Sequence, residues 1–553
     1  MVATGHSGGL PAASDSHPSI TIIFMERNML FERSREPLRS QRSVFLAEAN
    51  DWHRVVVFSA MIFIGSITTA EELQITVTDS DGRIMPARVH IRDAAGEIVK
   101  TMDHPFWHDH FVCHGQAKLF VSPGIYSWEI ERGPEYKRAN GTIQVKAGQT
   151  THLEHQLPRI ASLRQEGWFS GDLHVHRSVN DIKLLMQAED LDFAPVIDWW
   201  NAPAPNAQFA TQTEFRFDNN RVYCIGAGED EREGGALLYF GLKKPLDLTV
   251  RSREFPSPIH FVQQAKDQNA EVWIDIEKPF WWDVPTWLAS QQMKSIGLAN
   301  NHMNRSGMFE SEAWGRPRDT QRLPAPQGNG HWTQEIYYHI LNTGIRLPPS
   351  AGSASGVLRN PVGYNRVYVH LGDQTLSRHR WFSALEQGRC FVTNGPLLRV
   401  KANGSWPGRS LQIEQKPLTV KLDIQVTSND PISRIEIIQN GRITKSIPCT
   451  DALDQKFDTQ IEVREPGWIL VRAMTNVAET FRFASTAPWY IESPNTTHRI
   501  SKRSAEFFLD WVNERITKVN SNLTDQEELT SVLEWHLNAR RFWLEKRATA
   551  NAD

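Results

Sequence analysis

Gly171-Asp172-Leu173-His174-Val175-His176, the stretch Asp181 to Glu189, and Phe193-Ala194-Pro195-Val196-Ile197 form the run that decides the fold. Strand side chains alternate with period 2, so His174 and His176 leave one face of the first strand together. The apolar spacing of 181–189 is helical, and 193–197 is the short apolar run of a buried strand. The alternation continues through the strand-like Val222 to Ile225, the helical Ile259 to Asp267 and the strand-like Glu271 to Ile276. It predicts an α/β fold for residues 163–400, as a parallel β/α barrel or an open sheet. Sites in such folds lie at the carboxyl ends of strands, where His174, Asp198, Glu229 and Glu277 all fall.

The flanks read differently. Gln74 to Val77, Arg88 to Ile91, Lys118 to Val121 and Tyr126 to Ile130 are short alternating runs punctuated by Asp81-Gly82, Ala95-Gly96, Pro123-Gly124 and Gly133-Pro134. They predict a small β-sandwich over 71–158. Its turn spacing resembles that of prealbumin-like or carboxypeptidase-regulatory-like modules. His104, His108, His110 and His114 crowd one loop there, and with Asp109 and Cys113 as further ligands they offer a second metal site; they match no known ligand spacing, so a solvated His-rich loop is the favoured expectation. Leu418 to Val426, Arg434 to Ile438 and the turn Asn440-Gly441 predict a second, Ig-like sandwich over 401–490. Residues 495–553 carry two helical stripes, Ala505/Phe508/Leu509/Val512/Ile516 and Leu529/Val532/Leu533/Leu537. Thr524 and Glu527 are spaced as a capping box for the second helix.

The chain has 553 residues, too many for one core. It is 40% hydrophobic and 22% charged with a net charge of −4, and lacks the basic footprint that nucleic acid requires. Cys113, Cys224, Cys390 and Cys449 are scattered, which favours buried thiols over a disulfide framework or metal cluster. The apolar run 55–67 follows Arg54 and ends at Thr68-Thr69-Ala70, the anatomy of a secretory signal. It is too short for a stable membrane span. Residues 1–50 are polar and aperiodic, so 1–70 read as a disordered presequence, with Met25 or a neighbour as the expected start, and the protein as exported to periplasm or medium.

Two motifs carry a family resemblance. Gly171-Asp-Leu-His-Val-His176 with Asp181, and Ala384-Leu-Glu-Gln-Gly-Arg-Cys-Phe-Val-Thr-Asn-Gly-Pro-Leu397, resemble the first metal motif and the closing signature of the CehA/McbA-type metallohydrolases. These are a branch of the polymerase-and-histidinol-phosphatase (PHP) superfamily. The resemblance implies a distorted β/α barrel with a metal cluster, and hydrolysis of phosphoester or other ester-type bonds. Several family ligands are replaced. Asp198-Trp199-Trp200-Asn201 stands for Asp-His-Asn, Gly234-Gly235 for Gly-His, Glu277-Lys278-Pro279 for His-Pro, and Ser353-Ala354-Ser355-Gly356 for Ser-Asp-x-His.

Three readings follow. The first is a rebuilt centre in which His174, His176, Asp181 and Glu229, completed by Asp275, Glu277 or His302, hold one or two divalent ions. Zinc, manganese and iron all suit such donors. The second is an inactive barrel that binds a glycan or small molecule on Trp199, Trp200, Trp281 and Trp282. The third is metal-free acid/base chemistry by Asp275 and Glu277, which share a strand face. Its bland counterpart is a strand end with Glu277 salt-bridged to Lys278. The loop Ala351 to Gly356 is built of small residues, which permits close backbone approach. Gly5-His-Ser-Gly-Gly9 matches the nucleophile-elbow pattern but has no strand or helix around it.

Overall fold

Alternating burial along Glu71–Thr78 places Leu73, Ile75 and Val77 on one face, the period-2 signature of a half-buried strand. The computed structural model describes residues 70–201, 212–218, 220–414, 416–494 and 498–553. The presequence and its apolar 55–67 segment lie outside the described residues. Glu71–Thr78 is the centre of a three-stranded sheet with Gln116–Val121 and Thr151–Gln156. A five-stranded sheet runs Phe106–Trp107, His110–Cys113, Ala87–Arg92, Gly124–Glu131, Ala139–Val145, and the two share one apolar core.

The central sheet runs Pro349–Ala351, Ser295–Ala299, Trp273–Ile276, Gly235–Phe240, Arg221–Arg232, Phe193–Trp200, Trp168–Gly171, Arg366–His370, Cys390–Thr393. It is mixed rather than parallel. Gly235–Phe240 runs antiparallel to both of its neighbours, because only Glu233-Gly234 separates it from Arg221–Arg232 and a parallel return needs a long crossover. Beyond Gly171 the chain passes between two further segments. Val175 bridges Val196 on one side and Ser355 on the other, and His176 N–H donates to the Ser355 carbonyl at 2.8 Å. Helices Ile182–Ala188, Pro258–Gln268, Val284–Ala289, Gly328–Asn342 and Arg378–Glu386 accompany the sheet. Ser257 caps the second of them by accepting from Ile259 N–H.

The sheet does not stop at residue 400. Cys390–Thr393 pairs with Phe483–Thr486, and pairing continues through Gly467–Thr475 to Ile432–Gln439 and Arg442–Pro448. Asn440 and Gly441 join the last two with φ of 51° and 84°, the doubly positive turn that suits a twisted hairpin. A separate sheet of Leu397–Ala402, Leu418–Thr427 and Asp454–Val463 shares a second core with this arm.

Two helices, Lys502–Asn522 and Gln526–Ala548, close the chain. Asp525, not Thr524, caps the second, accepting from Glu527 and Glu528 N–H at 2.9 and 3.0 Å. Both helices dock on the central domain. Arg515 reaches Asp283 and Glu254, His536 Nδ1 meets Thr286 Oγ1 at 2.7 Å, and Trp543 donates to the Pro285 carbonyl. Among the described residues no helix is long and apolar enough to cross a membrane. All four cysteines are free thiols.

Candidate metal centre

His174 and His176 sit where the strand begun at Trp168–Gly171 runs on between its neighbours. Buried Asp172 fixes their backbone, accepting from the N–H groups of His174, Ser353 and Gly363 at 3.0, 3.0 and 2.7 Å. The small residues at 351–356 let the adjoining segment press against this strand. A Cβ on Gly352 would lie 2.5 Å from the His174 Cβ, and one on Gly356 would lie 2.4 Å from the His176 carbonyl oxygen. Gly356 also holds a left-handed φ of 101°.

The imidazoles converge with one carboxylate. His174 Nε2 and His176 Nε2 are 3.0 Å apart, and Glu229 Oε2 lies 3.3 Å from the first and 3.0 Å from the second. The potential ligand atoms of these three residues all fall within 4.8 Å of one another. Glu229 reaches the centre because Arg221–Arg232 runs parallel to Phe193–Trp200, with Trp200 opposite Glu229 and Trp199 opposite Gly228. Trp199 lies flat against Gly228, where any Cβ would overlap its indole.

Glu277 stands behind His174 rather than beside its Nε2. Its Oε1 is 3.3 Å from His174 Nδ1, while Oε2 accepts from Lys278 Nζ and from Trp281 Nε1 at 3.0 Å. A carboxylate on the far nitrogen of a ligating imidazole fixes its ring and tautomer. Two imidazole nitrogens and a carboxylate oxygen match the donors that zinc, iron and manganese accept.

The field at the centre favours a cation. Burial alone would lower the His174 imidazole, but Glu229 and Glu277 outweigh it and hold it up to about 10. Burial pushes the Glu229 carboxyl up, and His174 and His176 override that, leaving it well below the usual carboxylate range. Burial is likewise overcome at Glu277, where Lys278 and His174 keep the carboxylate ionised. Burial prevails at His176 and keeps it neutral, the form that ligates metal. A proton on His174 thus marks the place where these carboxylates stabilise positive charge.

Other expected residues lie elsewhere. Asp181 stands just before helix Ile182–Ala188, half-buried, where its charge acts on Arg177, and it does not join the group of three. Asp275 is buried with Oδ1 accepting from the Ser295 and Ser350 hydroxyls, and burial lifts it to about 7. His302 is buried between Phe280 and Phe309 with Nδ1 on the Ser311 carbonyl, and burial lowers it to about 3. Neither joins the group. Asp198 accepts from Gly226 N–H. The aromatic platform also contracts: Trp199, Trp281 and Trp282 are buried packing residues. Trp200 is 40% exposed, its ring 5.3 Å from that of His176.

Glu231 was not singled out in the sequence. It follows Glu229 by two residues, so strand alternation puts both on one face, and that spacing was the available signal. Trp200 Nε1 donates to its carboxylate at 3.0 Å, and burial together with Glu229 raises it to about 7. Asp230, between them, pairs with Arg232.

No family model matches the chain, and no curated protein matches it. A solved structure described as the Bacillus anthracis TIE protein is similar over 77% of this chain at 8% identity, with a TM-score of 0.13. The similarity spans 49% of that chain. A likeness this weak says nothing about fold or function.

Proposed function

We propose that this protein is a metal-dependent hydrolase of phosphoester or other ester-type bonds, with a reduced centre built on His174, His176 and Glu229. The observation that carries the reading is their convergence, with His174 Nδ1 turned to the Glu277 carboxylate. The architecture we infer is the distorted β/α barrel of the PHP resemblance. The flanking of the His174 strand by the segments of Val196 and Ser355 supports it, since that contact brings the segment after the end strand Pro349–Ala351 back against the strand continuing from Trp168–Gly171.

A divalent zinc, manganese or iron ion in such a centre supplies Lewis acidity and lowers the pKa of a water. The chain supplies the rest. Glu277 holds the His174 ring, and Lys278 and the Trp281 N–H hold Glu277. Glu231, half-buried at the rim, is placed to take a proton at its carboxylate and return it to a leaving oxygen. Trp200 covers the His176 side against bulk water and offers the remaining aromatic face to a substrate. In this arrangement Glu277 orients a ligand, and Glu231 takes over the proton-transfer role expected of Asp275 and Glu277.

Metal analysis of protein purified without chelator, with a panel of phosphoesters and carboxylesters, tests the reading. One equivalent of metal fewer on His174→Ala than on wild type, with chelator-sensitive turnover that Glu231→Gln lowers by roughly 10²-fold or more, is the expected outcome. A metal content unchanged by His174→Ala, or glycan binding without turnover, would leave a recognition module in its place. Export is part of the proposal. N-terminal sequencing of the secreted form should begin at or near Glu71, and a mature chain retaining 25–60 would refute it.

A further inference from the structure

A second convergence of ligating side chains lies in the N-terminal sheets. Strands Ala87–Arg92 and His110–Cys113 pair antiparallel with Arg88 opposite Val112 and Val89 opposite Phe111. The next step of that register brings His90 across from His110, and their rings lie 5.3 Å apart. Asp109 belongs to the tight turn that joins Phe106–Trp107 to His110–Cys113, where His108 takes a left-handed φ of 49°. That turn aims the Asp109 carboxylate between the two imidazoles. Its Oδ1 is 3.0 Å from His110 Nδ1, and its Oδ2 is 3.4 Å from His90 Nδ1. The potential ligand atoms of the three residues lie within 4.8 Å of one another.

A further observation points to a ligand. Both imidazoles are almost fully buried, at 5% and 2% exposure, while His90 Nε2, on the ring edge away from Asp109, lies 4.0 Å from Glu129 Oε1. Neutral polar residues would cost less in such a place than two imidazoles and a carboxylate. Cations stand nearby: Arg92 lies 3.4 Å from Asp109 Oδ2, and Arg88 and Arg305 act on His90. Arg88 and Arg305 are matched by other acids, Arg88 by Glu131 and Glu189 and Arg305 by Glu129 and Glu131, while Arg92 pairs with Asp109 itself.

We propose that His90, Asp109 and His110 form a second transition-metal site, of the zinc class, with a structural role. Two nitrogens and one oxygen from two strands and their turn would pin the Phe106–Cys113 hairpin. That hairpin touches the central domain. Trp107 Nε1 donates to the Leu358 carbonyl at 2.7 Å, and Val112 packs in one apolar cluster with Val175, between the two histidines of the candidate centre. His104, stacked on Phe111, and buried Cys113 remain outside the group.

The test separates the two sites by stoichiometry and does not depend on the proposed activity. His174→Ala protein is loaded with zinc or cobalt(II), desalted, and assayed by elemental analysis, with cobalt ligand-field absorption as a second readout. About one ion per chain should remain, falling below about a tenth when His90→Gln is added, with circular dichroism unchanged. Should His90→Gln fail to fold, Asp109→Asn in the same background should weaken retention at least about tenfold. If His174→Ala itself misfolds, wild type should hold two ions and the His90→Gln single variant one. No metal on folded His174→Ala, or retention indifferent to His90 and Asp109, would overturn the site and leave a hydrogen-bonded His-Asp-His cluster.

Discussion

Gly352 shows how one residue positions the candidate centre. Its φ lies outside the left-handed range, so backbone strain is not the reason for glycine there; the His174 Cβ occupies the space a side chain would need. Gly352→Val should therefore push His174 away from His176 and Glu229 while leaving distant packing intact. We expect metal affinity to fall at least about tenfold, in line with the loss of an orienting partner, in a competition titration against a chromophoric chelator. Unchanged affinity in the folded variant would mean that His174 is not a ligand. Much of this chemistry was legible along the chain. His-x-His on a strand is a local pattern, and the small residues at 351–356 announced a close approach. The convergence with Glu229 was not local, because it depends on which strands are neighbours. The same holds for Asp181, whose spacing fitted a ligand but whose place before a helix faces it toward Arg177.

The closing helix shows the same limit for an element. Thr524 with Glu527 and Asp525 with Glu528 have identical capping-box spacing, so sequence alone does not choose between them. The backbone chooses: Asp525 is extended, at φ −73° and ψ 125°, and accepts two helix N–H groups. Asp525→Ala should cost about 1 kcal/mol, whereas exposed Thr524→Ala should cost at most a few tenths, both read from urea denaturation. The buried face is rotated as well. Val532 of the expected stripe is buried, but Leu537 is 40% exposed, and His536, Ala539 and Trp543 are buried in its place, because Thr286 and the Pro285 carbonyl anchor His536 and Trp543. Burial of His536 lowers its imidazole to about 4, against roughly 6.5 in the unfolded chain. Between these values the unfolded state binds the extra proton, so stability rises with pH and is lost as pH falls from about 6.5 toward 4. The loss at His536 is about 3 kcal/mol at most. Melting curves at pH 7 and pH 5 should show a smaller acid shift for His536→Asn than for wild type.

One sheet runs from the central region into the C-terminal one, across the composition boundary near residue 400. Cys390–Thr393 pairs on one side with Arg366–His370 and on the other with Phe483–Thr486, so the C-terminal sheets share hydrogen bonds with the central one. A fragment spanning 401–490 lacks that strand and most of Leu397–Ala402. It should remain unfolded by circular dichroism, whereas an independently folding fragment would show the two regions to be separable. The helices 182–188 and 258–268 and the strands around 193, 222 and 273 follow from apolar periodicity, which burial on one face imposes locally. The Asn440-Gly441 hairpin follows from the positive φ that those residues tolerate. Sequence therefore determined the elements and the two histidines. Tertiary structure alone decided the neighbours: Gly235–Phe240 reversing the sheet, Glu277 behind His174, Trp199 and Trp281 in the core, and Asp109 between His90 and His110. Each depends on contacts between residues far apart in the chain, and periodicity carries no information about those.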